Sequence, residues 1–207
     1  VRVFEYSGGS WSRLGDDING EAANDQSGFS VSLDSDGDRV AIGAYGNDDG
    51  GSNAGHVRIY SWDGSSWSQL GSDIDGEAAG DWSGVCVSLD SDGDRVAIGA
   101  HGNDGGGSNA GHVRIYSWDG SSWSQLGLDI DGEAADDYSG QSLSLDSDGD
   151  RVAIGAYGND ENGAMSGHVR VFEYSGGSWS RLGDDINGEA ANDQSGFSVS
   201  LDSDGDR

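Results

Sequence analysis

The motif Val1-Arg2-Val3-Phe4-Glu5-Tyr6 returns as Val57-Arg58-Ile59-Tyr60-Ser61-Trp62, Val113-Arg114-Ile115-Tyr116-Ser117-Trp118 and Val169-Arg170-Val171-Phe172-Glu173-Tyr174, so the starts at positions 1, 57, 113 and 169 are evenly spaced. Such a strict period confines the chain to units that find their burial partners in neighbouring units. The periodic runs are short, β-rich and bounded by Gly, Ser and Asp, which favours a four-stranded propeller-type blade over a helical hairpin. Within one unit the expected strands are Phe29 to Leu33, Arg39 to Ala44, His56 to Trp62 and Ser66 to Leu70. Phe29, Val31 and Leu33 alternate with Ser30, Ser32 and Asp34, Asp36-Gly37 supplies a turn, and Val40, Ile42 and Ala44 resume the alternation. Asp63-Gly64 marks the turn between the third and fourth strands. The second strand carries apolar or small residues on both sides, Val40, Ile42 and Ala44 opposite Ala41 and Gly43, so it is expected to be buried on both faces.

The expected fold is all-β: tandem four-stranded blades, as an open superhelical array or as part of a closed propeller. The units read as 1-28, the last two strands of a partial blade; 29-84, 85-140 and 141-196, complete blades; and 197-207, the first strand of another partial blade. Residues 169-207 repeat residues 1-39 at every position, whereas the units starting at Val57 and Val113 resemble each other. The higher period is therefore a block of three blades, running from Val1 to His168 before the pattern restarts at Val169. The expectation is a window onto a longer array. The loop 45-55 is the most variable, recurring altered at 101-111 and 157-167, and the connection between units has room for a short helical turn at Glu77-Ala78-Ala79 but lacks the length for a helix.

The chain carries 38 acidic and 10 basic residues, a formal charge of -28. All the basic residues are Arg, and no basic face can be assembled to neutralise phosphates, which argues against nucleic acid and anionic membranes as partners. Recurrent aromatic residues, 7 Trp, 7 Tyr and 4 Phe, argue against a solvated acidic tail. Self-repulsion must then be offset by salt, by divalent cations or by both. Cys86 is the single cysteine and stands where other units have Ser30, Ser142 and Ser198, so it reads as a small strand residue. No apolar run is long enough to span a bilayer as a helix.

From Gly28-Phe29 through the Val-Ala-Ile-Gly-Ala strand to Gly-His-Val-Arg-Ile-Tyr, the unit resembles the FG-GAP repeats of integrin α-like propellers, and more closely the bacterial and algal extracellular FG-GAP repeat proteins. The resemblance covers essentially the whole chain, and it implies a secreted, extracellular or cell-surface setting. In calcium-binding members the turn between the first two strands carries alternating acidic ligands. The matching residues are Asp34, Asp36 and Asp38; Asp90, Asp92 and Asp94; Asp146, Asp148 and Asp150; and Asp202, Asp204 and Asp206. Their oxygens suit Ca2+, but three carboxylates fall short of six to eight donors, and Ile42 stands where a distal acid is expected. Asp25, Asp81, Asp137, Asp193, Asp48 or Asp104 would have to complete a site. The alternative is a turn in which Asp side chains bond nearby amides.

No catalytic residues are expected, because each nucleophile candidate recurs beside the same Gly and Asp in every unit. Glu21, Glu77, Glu133 and Glu189 suit loop support better than acid-base work, and the Gly-rich loops lack a phosphate-binding Lys. His56, His112 and His168 precede the third strand and read as structural, with a metal ladder as the sharper alternative; His101, replacing Tyr45 and Tyr157, reads as exposed loop. The Trp11, Trp67, Trp123 and Trp179 series reads as packing. The functional expectation is a structural or adhesive, non-enzymatic repeat protein that self-associates or stacks on neighbouring repeats of its own chain. The alternative is a discrete closed propeller that recognises glycan or protein through its variable loops. Intact mass of the native protein tests the array expectation. It should exceed the mass of the present sequence by multiples of the three-blade block, and a mass equal to that of the present sequence would contradict it.

Overall fold

A computed structural model describes residues 1–207 and contains only strands, turns and irregular connections. A first hairpin pairs β1 (Phe4–Ser7) with β2 (Ser10–Arg13). Three antiparallel sheets follow. The first holds β3 (Ser30–Leu33), β4 (Arg39–Ala44), β5 (His56–Trp62) and β6 (Trp67–Gln69), with the short β7 (Ile74–Asp75) also on β5. The second holds β8 (Cys86–Leu89), β9 (Arg95–Ala100), β10 (His112–Trp118), β11 (Trp123–Gln125) and β12 (Ile130–Asp131). The third holds β13 (Ser142–Leu145), β14 (Arg151–Ala156), β15 (His168–Ser175), β16 (Ser178–Arg181) and β17 (Ile186–Asn187).

The four strands of each sheet fall within a residue or two of the sequence expectation; β7, β12 and β17 are additional to it. Each pairs with the start of the third strand, as in His56↔Asp75 and Val57↔Ile74, while the fourth strand pairs with its end. A two-residue run has no periodicity to read, so only the pairing reveals it. The Glu77-Ala78-Ala79 segment forms no helix: Glu77 and Ala78 are bends and Ala79 enters a turn closed by Asp81 N donating to the Ala78 carbonyl. There Ala78 N donates to Asp81 Oδ2, a side-chain clip that competes with helical geometry.

The apolar core lies between sheets rather than inside one. Ala41, Val57, Ile59 and Ile74 of the first sheet pack on Val87, Leu89, Val96 and Ile98 of the second. Ala97, Val113, Ile115 and Ile130 of the second meet Leu143, Leu145, Val152, Ile154 and Phe172 of the third. The second strand therefore serves two seams, and Val40 through Ala44 are buried as both of its faces require.

Polar ties cross the same seams. The indole N–H of Trp67, Trp123 and Trp179 donates to the carbonyl of Leu14, Leu70 and Leu126 in the preceding unit, at 2.8–2.9 Å. Arg58, Arg114 and Arg170 reach back to the carbonyls of Asn19, Asp75 and Asp131 at 2.8–2.9 Å. The free edges of β8 and β13 are covered as well: Val87 N and Leu89 N donate to Ser30 Oγ and Ser32 Oγ at 3.0 Å, and Leu145 N to Ser88 Oγ at 3.1 Å, which blunts edges otherwise open to foreign strands.

Gly43, Gly99 and Gly155 interrupt the apolar second strand for a steric reason. A Cβ on Gly99 would run into the backbone carbonyl of Gly140, where the chain enters the next sheet, and Gly43 meets Gly84 in the same way. Backbone cannot swing aside as a side chain can. Gly99→Ala is therefore expected to destabilise the chain by about 1–3 kcal/mol or more, read as a lower urea midpoint; an unchanged midpoint would refute the close packing.

Candidate metal centres and the blade surfaces

In the first three acidic turns the structure brings together the first and third acids. Asp34 Oδ1 accepts from Arg39 N at 3.1 Å, and the Asp38 carboxyl lies beside it. The equivalent bonds run from Arg95 N to Asp90 and from Arg151 N to Asp146, at 3.1 and 3.0 Å. Asp34, Asp90 and Asp146 are buried, whereas Asp36, Asp92 and Asp148 are not. Burial, reinforced by the neighbouring third acid, raises the Asp34, Asp90 and Asp146 carboxyls, Asp90 to about 6. At the C-terminal turn, Asp202 Oδ1 accepts from Asp206 N and Arg207 N, and Asp204 is exposed.

These turns also join successive units. Ser35 N, Ser91 N and Ser147 N donate to the carbonyls of Ser91, Ser147 and Ser203 at 3.0–3.1 Å. Arg95 and Arg151 extend to the carbonyls of Asp148 and Asp204 at 3.1 and 3.0 Å. The acidic turns thus make a continuous row around a shallow hollow of about 250 Å³.

For a calcium ion, Asp34 and Asp38 fit as two hard oxygen donors whose mutual repulsion the ion would relieve. One Asp34 oxygen is shared with the Arg39 amide, so carbonyls and water would have to supply most of the remaining coordination. The acids expected to complete such a site are engaged in their own loops. Asp25 Oδ2 accepts from Ala22 N and Asn47 Nδ2, Asp81 and Asp137 repeat that clip, Asp193 accepts from Ala190 N, and Asp48 and Asp104 accept from Asn53 N and Asn109 N.

The clusters in which three or more ligand atoms lie within 4.8 Å of one another are elsewhere: Glu21, Asp49, His56 and Asp73; Glu77, His112 and Asp129; Glu133, His168 and Asp185. Each His starts a third strand and is buried, the Glu comes from the connection that enters the sheet, and the Asp follows the fourth strand. Sequence reasoning treats the His and Glu separately and passes over the Asp. Their fixed offsets in every unit are the available signal. Burial, then the adjacent Arg114 and Arg170, lowers the His112 and His168 imidazoles from 6.5.

His101 is not the exposed loop residue expected from sequence. It is half-buried between Trp82 and Tyr138, with ring centroids 4.9 and 6.0 Å away, and burial lowers it to about 4. Tyr138 stacks on Tyr157 at 5.2 Å and Tyr157 meets Phe197 at 5.4 Å, so an aromatic row crosses the units. Trp82 and Tyr138 hold φ of 56° and 55°, a left-handed backbone unusual for bulky residues.

Residues 19–60 and 129–172 match the FG-GAP repeat family. No curated protein matches the sequence. Among solved structures, a provisionally assigned 6-phosphogluconolactonase from Bacteroides uniformis superposes with a TM-score of 0.57 at 11% identity, over 92% of this chain and 49% of that one. Kuenenia stuttgartiensis hydrazine synthase gives 0.53 at 11% identity, over 91% and 42%. The chain thus spans less than half the length of either structure, and at this identity the likeness concerns the fold. Together these observations define a propeller-like, all-β repeat protein, two segments of which match the FG-GAP repeat.

The raised Asp90 carboxyl makes a signed prediction. Its folded pKa, about 6, exceeds the ordinary 3.8, so the folded chain binds its proton more tightly and this contribution to stability falls as pH rises through that window. Exposed Asp63 and Asp119 act oppositely: Ser hydroxyl and amide donors hold both at about 2, and their contribution is lost only in stronger acid. Asp90→Asn keeps an acceptor for Arg95 N and removes the titration. In calcium-free buffer, urea midpoints should show the variant at least as stable as the parent at about pH 7 and flatter between about pH 4 and 6. A less stable variant with an unchanged slope would refute this.

Proposed function

We propose that this protein is a segment of an extracellular structural or adhesive array in which blades of one repeating chain stack face to face. The observation that carries the reading is the apolar character of the two outermost blade faces. Val31 and Leu33 are 51% and 49% exposed, whereas their equivalents Val87 and Leu89, covered by the preceding blade, are 5% and 7% exposed. At the opposite side, Ala153, Val169, Val171 and Ile186 line a hollow of about 520 Å³. In the first seam the equivalent residues Ala41, Val57, Ile59 and Ile74 are covered by Val96 and Ile98 of the next sheet. A further Val-Ala-Ile strand, as the three-blade period would provide, has the chemistry to fill that hollow.

Calcium at the acidic turns belongs to the same proposal. The paired acids Asp34 and Asp38, Asp90 and Asp94, Asp146 and Asp150, and Asp202 and Asp206 would take the ion, with Asp36, Asp92, Asp148 and Asp204 beside them. Support comes from the crowding of first and third acids in a chain of charge -28. An extracellular setting, rich in salt and calcium, suits that charge.

The second reading is a closed propeller that recognises glycan or protein. The aromatic row from Trp82 through His101, Tyr138 and Tyr157 to Phe197, beside the variable loops, favours it, because flat rings offer contact area at low entropic cost. Near identity of the blades weighs against it, since an asymmetric ligand calls for blades that differ. Electron microscopy of native, unproteolysed material separates the two. Filaments with a regular axial repeat are expected, and discrete rings would overturn the array reading. Thermal unfolding of the chelator-treated chain with and without added Ca2+ tests calcium: a raised midpoint on addition is expected, and an unchanged one would remove calcium from the account.

A further inference from the structure

We propose that the His56, His112 and His168 clusters are seam-bridging sites for a borderline divalent cation of the zinc or cobalt class, distinct from the acidic turns. The clusters are more than accumulations of acid. His56 and His168 are fully buried, and neither imidazole nitrogen of either has a hydrogen-bond partner. An orphaned buried polar group is costly, and nearly all such groups in folded proteins are satisfied. The unsatisfied Nδ1 of His56 is aimed between two carboxylates, 3.7 Å from both Glu21 Oε2 and Asp73 Oδ2; His112 Nδ1 stands 3.9 Å from Glu77 Oε2 and Asp129 Oδ2.

These separations are too long for hydrogen bonds and close to those imposed by a shared ion. Ligand bonds of about 2.0–2.1 Å in tetrahedral geometry place neighbouring donors about 3.3–3.4 Å apart, so the atoms need to close by only a few tenths of an ångström. One imidazole nitrogen with two or three carboxylate oxygens selects zinc or cobalt over calcium, which takes oxygen. Metal binding requires the neutral imidazole and releases any proton it carries. The other oxygen of each Glu, Oε1, lies 3.4–3.5 Å from Arg58, Arg114 or Arg170, which orients the carboxylate without using the oxygen that faces the imidazole. An ion would tie the connection carrying Glu to the His and Asp of the following blade.

The three sites supply their own control. Asp49 adds a third carboxylate to the first cluster, whereas Gly105 occupies the equivalent loop position beside His112. The His56 site is therefore expected to bind more tightly than the His112 site.

The test uses the whole chain, freed of metal by chelation. Calorimetry with Zn2+ and visible absorption with Co2+ should each count about three equivalents, matching the three clusters. Long-range 1H–15N spectra should show the imidazole nitrogens of His56, His112 and His168 shifting with Zn2+, and Ca2+ should not displace the Co2+ spectrum. Glu77→Gln and Asp129→Asn change exposed carboxylates and spare the buried imidazole; each should abolish one equivalent or weaken it about tenfold or more. His112→Gln should do the same, with circular dichroism confirming its fold. Uptake unchanged in the Glu77→Gln, Asp129→Asn double variant, or unshifted imidazole resonances, would overturn the proposal and assign any binding to the general acidic surface. This outcome is independent of the array reading, which microscopy decides.

Discussion

The fold depends on contact between the back of one blade and the front of the next. A four-stranded sheet of this size buries little apolar surface alone, and most fully buried side chains here, Ile42, Ile59, Ile98, Ile115 and Ile154 among them, lie at seams. Each such side chain contributes about 1.5–3 kcal/mol when removed from water, so a blade without neighbours loses the main favourable term in its stability. The paired faces of the Val-Ala-Ile strand meet this constraint, one serving each seam.

Directional contacts then fix how the faces meet. Trp indoles, Arg guanidinium groups and Ser hydroxyls each reach one unit back or forward to a backbone partner, and the same bonds recur from seam to seam. The Gly43 and Gly99 contacts bring the second strand too close for any Cβ to the connection that enters the next sheet. Apolar burial gives the seam its energy, while these polar and steric contacts give it one register. The same geometry concentrates negative charge at two places per unit, the turn with Asp34 and Asp38 and the corner with Glu21, Asp73 and His56.

Much of the fold is legible in the sequence because β-alternation and turn chemistry are local. Phe29 to Leu33 alternates, Asp63-Gly64 turns with Gly64 at a φ of 94°, and Val40 to Ala44 announces burial on both faces. The candidate metal cluster is less legible. Glu21, His56 and Asp73 lie far apart in sequence and carry no close ligand spacing, so only strand pairing and the entry of the connecting loop assemble them. His101 is misread for a related reason: its loop is polar and Gly-rich, but Trp82 and Tyr138, brought from two other connections, enclose its ring.

The identical segments 1-39 and 169-207 separate local from tertiary control. Phe4 is 47% exposed and Phe172 9%, although both lie in strands, because only Phe172 has a preceding blade to cover it. Ser30–Leu33 is a strand hydrogen-bonded to Arg39–Ala44, whereas the same residues at 198-201 have no such partner and are irregular. Sequence by itself determined the period, the turns, the strand order within a unit and the faces that must be buried, since these follow from side-chain alternation and backbone preference. Tertiary structure decided which of those faces were covered, which strand formed its ladder and where the imidazole met its carboxylates, because each requires groups that only a neighbouring element can bring.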